Sequence, residues 1–427
     1  MVSLAALTGG EQMESQNTKS RGAERKPLLP YAEALALLES RCKSFQTSVA
    51  ETSLPDALDR VLAVEVALDR DEPPVRRSAM DGFAVISSDG AAPRQIVGVL
   101  YAGTSGLPTI KSGQAMAVMT GGTVPHGADT VVPVELTQRE GDQLLLENAP
   151  PANKHVRAAG EMGKKGRVIL KAGRRLTAGD LAAAASCGVS KVSVYAQPRA
   201  AVLATGDEVV HYSETPGLHQ VRDSNRLASQ LQLQGFGAKV ILDQHVPDNE
   251  TELVKAVGNA LDQCDLVITI GGVSMGDKDF MPRVFAQCGV DFLFHKVALQ
   301  PGKPLWAGIR GNTIVLGLPG NPISSFTVLE LFGRLVVDRL GGATTSYPRP
   351  LRYGTATTEL RSHKRPRWLP CSLSGDHDGA DLQVTPCQES GSGDWTSLAY
   401  ADALLFLTPG SHLQAGDRVA FLPLANP

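Results

Sequence analysis

The sequence predicts an α/β multidomain protein: a doubly wound α/β domain, with a small β-rich module before it and a C-terminal β-barrel after it. Three observations carry this. After Pro198 apolar strand-like runs alternate with amphipathic helical runs, which implies a mostly parallel sheet covered on both faces. Between about Pro73 and Pro150 the chain consists of short β-type runs separated by Gly, Pro and Asp-Gly-like turn signals. Beyond about Gly342 it returns to short alternating strands, the pattern of a small barrel.

The elements follow in order. Residues 1–25 are polar and unpatterned after Leu7 and read as a disordered tail or leftover expression sequence. Pro30 opens "PYAEALALLESRC", a helix with a proline start and apolar residues at helical spacing. The period changes to alternating by Val64 to Leu68. "RQIVGVLYAG", "GQAMAVMTGG", "DTVVPVEL" and "GDQLLLEN" form the β-rich module. Thr177 is an N-cap for a helix through Ala185, with Gly188 just past its end. "AAVLATGDE", "AKVILDQHV", "DLVITIGG" and "TIVLGLPG" are strands of the doubly wound domain, interleaved with "DSNRLASQLQLQGF", "ETELVKAVGNALDQC" and a long helix after Pro322. "RYGTATTEL", "RPRWLPCSLSG", "DLQVTPCQE", "ALLFLTPG" and "DRVAFLPL" supply the barrel.

Composition narrows the function classes. At 427 residues the chain has room for roughly three domains and needs no disulfide staples. Its six cysteines are scattered, with no short-spaced pair for zinc or redox work, so they read as reduced thiols of a cytoplasmic protein. With 41 basic and 44 acidic residues, the overall field does not favour nucleic acid. No apolar run reaches the roughly 18 residues that span a bilayer, so no membrane partner is expected.

In an open parallel sheet, ligands bind outside the carboxyl ends of the strands. That rule selects Thr205-Gly206-Asp207-Glu208, Pro247-Asp248-Asn249, the loop from Gly271 and Gly272 through Ser274 to Asp279, and Pro319-Gly320-Asn321-Pro322 followed by Ser324-Ser325. Glycines allow close backbone approach to oxygens, and the helix start at Pro322 offers free N–H donors. Glu208, Asp248 and Asp279 would repel a phosphate unless a hard cation such as Mg²⁺ bridged them. Lys303, in "QPGKPLW", could neutralise an oxyanion. Taken singly, Thr205-Gly206-Asp207-Glu208 reads equally well as a β-to-α turn with an Asp cap, the glycine-rich loop is a weak signal, and Pro319-Gly320-Asn321-Pro322 reads as a tight turn. Asp81, in "SAMDGFAV", reads first as part of an Asp-Gly turn.

Together the motifs "SAMDGFAV", "VMTGGTVPHGADTVVPVE", "VRAAGEMGKKG", "TGDEVV", "DSNR", "GGVSMGDKDF", "QPGKPL" and "GLPGNPISSF" resemble the molybdopterin molybdenumtransferase family, MoeA in bacteria and the E domain of gephyrin in animals. They occur in the family's order. The resemblance implies a homodimer and insertion of molybdate into adenylylated molybdopterin, with Mg²⁺-dependent release of AMP. The substrate would come from a molybdopterin adenylyltransferase. The chain divides accordingly into a tail (1–25), an elongated linker domain (26–72 and 150–197), an inserted β-rich domain (73–149), the α/β domain (198–342) and a β-barrel domain (343–427).

The same resemblance makes Asp81, Thr120, Glu208, Asp248, Asp279 and Lys303 the catalytic set, with Glu208, Asp248 and Asp279 also holding the metal. Asp81, Thr120 and Arg157 would close the cleft from the opposite subunit. Substrate contacts fall to Arg157, Gly271, Gly272, Ser274, Pro319, Gly320, Asn321, Ser324, Ser325, Ser392 and Arg365. The sequence departs from the family pattern at Gln300, where a basic residue often stands, at Pro370, where an arginine ends the barrel motif, and at Asp402, where an asparagine usually follows alanine. Two rivals follow from kinship: an adenylyltransferase of related fold, disfavoured by "SAMDGFAV" and the C-terminal β domain, and a scaffold or inactive paralogue that binds without turnover.

Overall fold

The structure is a computed structural model that describes residues 27–424 apart from 44, 46, 104–105, 274–279, 363, 376–381 and 388–390. Its centre is a six-stranded sheet of β1 (Arg199–Thr205), β2 (Lys239–Val246), β3 (Leu266–Ile270), β4 (Asp291–His295), β5 (Trp306–Arg310) and β6 (Thr313–Leu318). The spatial order is β2-β1-β3-β6-β5-β4. The first four of these neighbours pair in parallel, and β5 and β4 extend the sheet antiparallel. The central β3 and β6 are buried along their whole length, as expected of strands covered on both faces.

Helices cover both faces. On one, Val257 and Ala260 of helix Glu250–Gln263 and Phe285 of helix Met281–Gln287 pack with Leu203, Val267 and Val315. On the other, Leu233 and Phe236 of helix Ser224–Phe236 meet Val202, Ile268 and Leu316. Asp223 caps that helix by accepting from the Arg226 N–H, and Gly237 ends it in the left-handed conformation. The same face carries the helical run Pro322–Leu340, which includes a π-helical turn at Leu329–Gly333. Helix Tyr31–Cys42, from the start of the chain, buries Ala34, Leu35 and Leu38 in this core as well.

The linker is made by pairing across a long gap in sequence. Val49–Ser53 pairs with Lys191–Tyr195, Val66–Ala67 with Val168–Leu170, and Arg77–Ser78 with Val156–Arg157, all antiparallel. The β-rich module between them is therefore an insertion, a six-stranded sheet running from Gly82–Val85 to Gln143–Leu146. The helix expected after Thr177 spans Ala178–Ser186 and begins with a capping box between Thr177 and Asp180.

At the C-terminus Arg352–Ala356, Gln383–Pro386, Arg367–Ser374, Ala403–Leu407 and Arg418–Pro423 close into a five-stranded barrel. Asp338 ties the units together. Its carboxylate, 1% exposed, takes Arg175 of the linker at 2.9 Å, Arg334 of its own helix at 3.3 Å and the Tyr347 hydroxyl at 2.8 Å. All six cysteines are free thiols, and no helix among the described residues is long and apolar enough to cross a membrane.

Candidate active site

A cleft of about 880 Å³ opens along the carboxyl ends of the parallel strands, where the topology places ligands. Thr205 ends β1 and Glu208 follows it, Asp248 follows β2, Gly271 and Gly272 follow β3, and Gly320 and Asn321 follow β6; all of them line it. Neighbouring parallel strands carry these loops, so residues as far apart in sequence as Thr205 and Asn321 meet at one rim.

The backbone explains the glycines. Gly271 and Gly272 have φ of 96° and 64°, a left-handed conformation in which a side chain is strained. A Cβ on Gly272 would also stand 2.8 Å from Met281 Cγ. The tight turn keeps the peptide bare where a ligand would lie. Asn225, at the start of helix Ser224–Phe236, pins the opposite loop by donating its side-chain amide to the Gly320 carbonyl at 2.6 Å.

The carboxylates are oriented from within the cleft. The Thr205 hydroxyl donates to Asp248, and the Asp248 N–H donates to the Asp207 carboxylate at 3.2 Å. Glu208 shares the cleft. Among the described residues no group of three or more His, Cys, Asp or Glu side chains forms a ready-made cage. Two carboxylates with a hydroxyl nearby are nonetheless a hard-oxygen set that suits Mg²⁺, which uses one or two protein carboxylates and completes its octahedron with water and phosphate oxygens. Asp279 and Ser274, expected in the same loop, lie outside the described residues.

A second recess of about 340 Å³ sits between the sheet domain and the barrel. It brings together Lys303, Pro319, Ser324, Arg365 and Ser392, all expected from the sequence, with Gln300 and Arg367. Asn321 lines both recesses and so marks their common wall. Main-chain bonds hold the barrel against this place: Gln300 N–H donates to the Pro366 carbonyl at 2.9 Å, and Trp368 N–H to the Gln300 carbonyl at 2.7 Å. Asn321 Nδ2 donates to Ser392 Oγ at 2.9 Å. The cleft thus gathers carboxylates, and the recess beside it gathers cations and hydroxyls.

Ser325 lines neither space. It is buried and borders a smaller recess beside the cleft with Ser224, Pro322 and Phe326.

Asp81, Thr120 and Arg157 lie elsewhere, where the linker enters the inserted domain. Asp81 Oδ1 accepts from the Thr120 N–H at 2.6 Å and from its hydroxyl at 2.8 Å. These two bonds, the backbone one first, hold the Asp81 carboxyl below the usual range. Arg157 stands in register with Arg77 and lies 3.5 Å from Glu161. None of the three lines the cleft of its own chain. Gly82 starts a strand and has no left-handed φ, so "Asp-Gly" is not a turn here. A Cβ at Gly82 would meet the Val132 carbonyl at 2.1 Å, and strand contact is what requires the glycine.

Sequence reasoning passed over Tyr212, Asn225, Leu227 and Trp395 as lining residues. Of these only Asn225 had a local signal, its place in "DSNR" before an amphipathic helix.

A doubly wound sheet with a carboxylate-lined cleft at its strand ends and a cation-lined recess beside it defines an α/β protein with a polar small-molecule site. Comparison with known proteins gives the family. The profile of the MoeA N-terminal region (domain I and II) matches residues 29–188, that of a probable molybdopterin binding domain matches 201–339, and that of the MoeA C-terminal region (domain IV) matches 353–424. The chain belongs to the molybdopterin molybdenumtransferase family, enzymes of molybdenum cofactor biosynthesis. It is 30% identical over 375 residues to the molybdopterin molybdenumtransferase of Staphylococcus epidermidis, covering 86% of this chain and 89% of that one. The Haemophilus influenzae counterpart is 35% identical over 320 residues, 74% of this chain and 79% of its own. Among solved structures, a molybdopterin biosynthesis MoeA protein from Pyrococcus horikoshii OT3 superposes with a TM-score of 0.79 at 25% identity, covering 93% of this chain and 100% of that one.

Proposed function

We propose that the chain inserts molybdate into the dithiolene of adenylylated molybdopterin and releases AMP in an Mg²⁺-dependent step. The observation that supports this most is the pairing of a carboxylate-lined cleft with a cation-lined recess across Asn321. Molybdate is a tetrahedral dianion and needs Lys, Arg and hydroxyl donors; a phosphoanhydride needs a cation that carboxylates can hold. The two demands conflict within one pocket and are compatible in adjacent ones.

In this reading Glu208 and Asp248, with Asp279 as the third expected ligand, would hold Mg²⁺, which when bound would neutralise charge on the phosphoanhydride oxygens. The Thr205 hydroxyl keeps Asp248 turned to that task. The bare peptides at Gly271, Gly272 and Gly320 admit the phosphates closely, while Asn225 fixes the Gly320 loop. Lys303, Arg365, Ser324 and Ser392 hold the oxyanion next to it. Positioning and charge neutralisation do the work, and no covalent nucleophile is required.

Asp81, Thr120 and Arg157 complete the cleft from a second subunit. Their absence from the cleft lining of their own chain and their exposure support a homodimer in which each inserted domain closes its partner's cleft. The substrate comes from an adenylyl transfer to molybdopterin. Six unpaired thiols fit a reducing compartment, and we place the reaction in the cytoplasm. The test is release of AMP by the purified protein given adenylylated molybdopterin, Mg²⁺ and graded molybdate; release that ignores molybdate would overturn the reading.

A further inference from the structure

We propose that Trp395, carried by the barrel domain, is the stacking platform for a flat heteroaromatic ring of the bound pterin nucleotide. The inference rests on the cleft being the nucleotide site, and it adds a specificity residue outside the sheet domain.

Of the three tryptophans, Trp306 and Trp368 are 4% and 3% exposed, whereas Trp395 is 62% exposed. A single exposed aromatic ordinarily carries no message. This one lines the main cleft and also the small recess beside it, so its ring stands at the junction of the two. A second exposed aromatic, Tyr212, lines the same cleft from the loop after β1. Leu227, also partly exposed, adds apolar surface. The cleft therefore has a polar floor of loop peptides and carboxylates together with apolar surfaces, a division that matches a phosphate joined to a planar ring.

Trp395 is held rigidly enough for this role. It begins the 3₁₀ turn Trp395–Tyr400, capped by Asp394, whose carboxylate accepts from the Thr396 N–H at 3.0 Å. Ser397 is buried and donates its hydroxyl to the Asp394 carbonyl at 3.0 Å. Just before the turn, the Ser392 carbonyl accepts from the Ile323 N–H at 3.2 Å, tying the segment to the helix start of the sheet domain. An exposed indole on a fixed backbone turn costs little chain freedom when a ring stacks on it.

The test uses the intact protein and three probes: AMP, 6-hydroxymethylpterin and ribose 5-phosphate. Trp395 is the exposed fluorophore, so a ring stacking on it quenches the solvent-exposed part of the emission. AMP or the pterin is expected to quench, and ribose 5-phosphate, which lacks the ring, is not. Which ring quenches tells which end of the substrate lies here. By calorimetry Trp395→Ala should bind the quenching probe roughly tenfold to a hundredfold more weakly, the range of one lost stack, while Trp395→Phe stays near the parent. If the parent binds AMP or the pterin but Trp395→Ala binds it equally well, the platform is refuted and the nucleotide site stands. If the parent binds neither probe, the nucleotide reading of the cleft fails along with the platform.

Discussion

Replacing Lys303 by alanine isolates the oxyanion recess from the rest of the site. Its ammonium is one of three cations that line the space with Ser324 and Ser392. At a contact distance of about 4 Å, a pair of unit charges interacts by about 1 kcal/mol in water and about 4 kcal/mol at the effective dielectric of a protein surface. Lys303 is exposed, which places it near the watery limit. Molybdate carries two charges, so the loss is about 2 kcal/mol, or roughly 30-fold in the molybdate concentration needed for half-maximal rate. Arg365 and Arg367 remain, so saturation is still reached. The assay is AMP release from adenylylated molybdopterin over a molybdate series, with Lys303→Arg as the charge-preserving control. An Ala variant with the parent's molybdate dependence, or one in which Lys303→Arg is as impaired as Lys303→Ala, would refute the reasoning.

Other outcomes follow from the same geometry. Gly272→Ala forces a side chain into a left-handed φ and against Met281; it should destabilise the sheet domain by about 1–2 kcal/mol from backbone strain alone, read as a lower denaturant midpoint, together with weaker AMP binding. Asp338→Ala leaves Arg175 and Arg334 without their shared buried carboxylate and should cost about 3–5 kcal/mol, seen in chemical denaturation; a loss below 1 kcal/mol would contradict its role at the junction. Thr120→Val removes one of the two donors to Asp81, so the carboxyl pKa of Asp81, followed by NMR, should rise toward its ordinary value. Because that pKa is depressed in the folded protein, the stability it contributes is present above the unfolded value and lost as pH falls through the folded one; the variant should show a smaller loss over that acidic window. Burial raises all six thiols, Cys42 and Cys371 to about 12, and native protein at pH 8 should be alkylated far more slowly than unfolded protein.

Much of the fold was legible because it rests on local signals. The strand and helix alternation after Pro198, the Thr177 N-cap and Gly188 just past the end of its helix are each set by residues a few positions apart. The two antiparallel strands Asp291–His295 and Trp306–Arg310 were not legible. On Asp291–His295, Phe292 is 63% exposed, which breaks the buried pattern that marks a central strand. That helix Tyr31–Cys42 packs on a sheet beginning at Arg199 is likewise a tertiary fact that periodicity cannot carry.

The site divides in the same way. The switch-point rule found the loops at Thr205, Asp248, Gly271 and Gly320 because it follows from strand order. Resemblance supplied Ser392 and Arg365, which reach the site from the barrel and share no local pattern with Lys303. Trp395 belongs to neither group. Its position over the cleft arises where two domains meet, and nothing in "SGSGDWTSL" announces it.

The most direct measurement of the central claim is AMP release by the purified protein from adenylylated molybdopterin in the presence of Mg²⁺, as molybdate is raised from zero. The paired recesses predict release that saturates with molybdate and stops when Mg²⁺ is chelated, with Gln300 and Pro370 tolerated because Lys303, Arg365 and Arg367 still surround the oxyanion recess. Tight binding of the adenylylated pterin with no AMP released at any molybdate concentration would contradict it, and would mark the chain as a member of the family that binds without turnover.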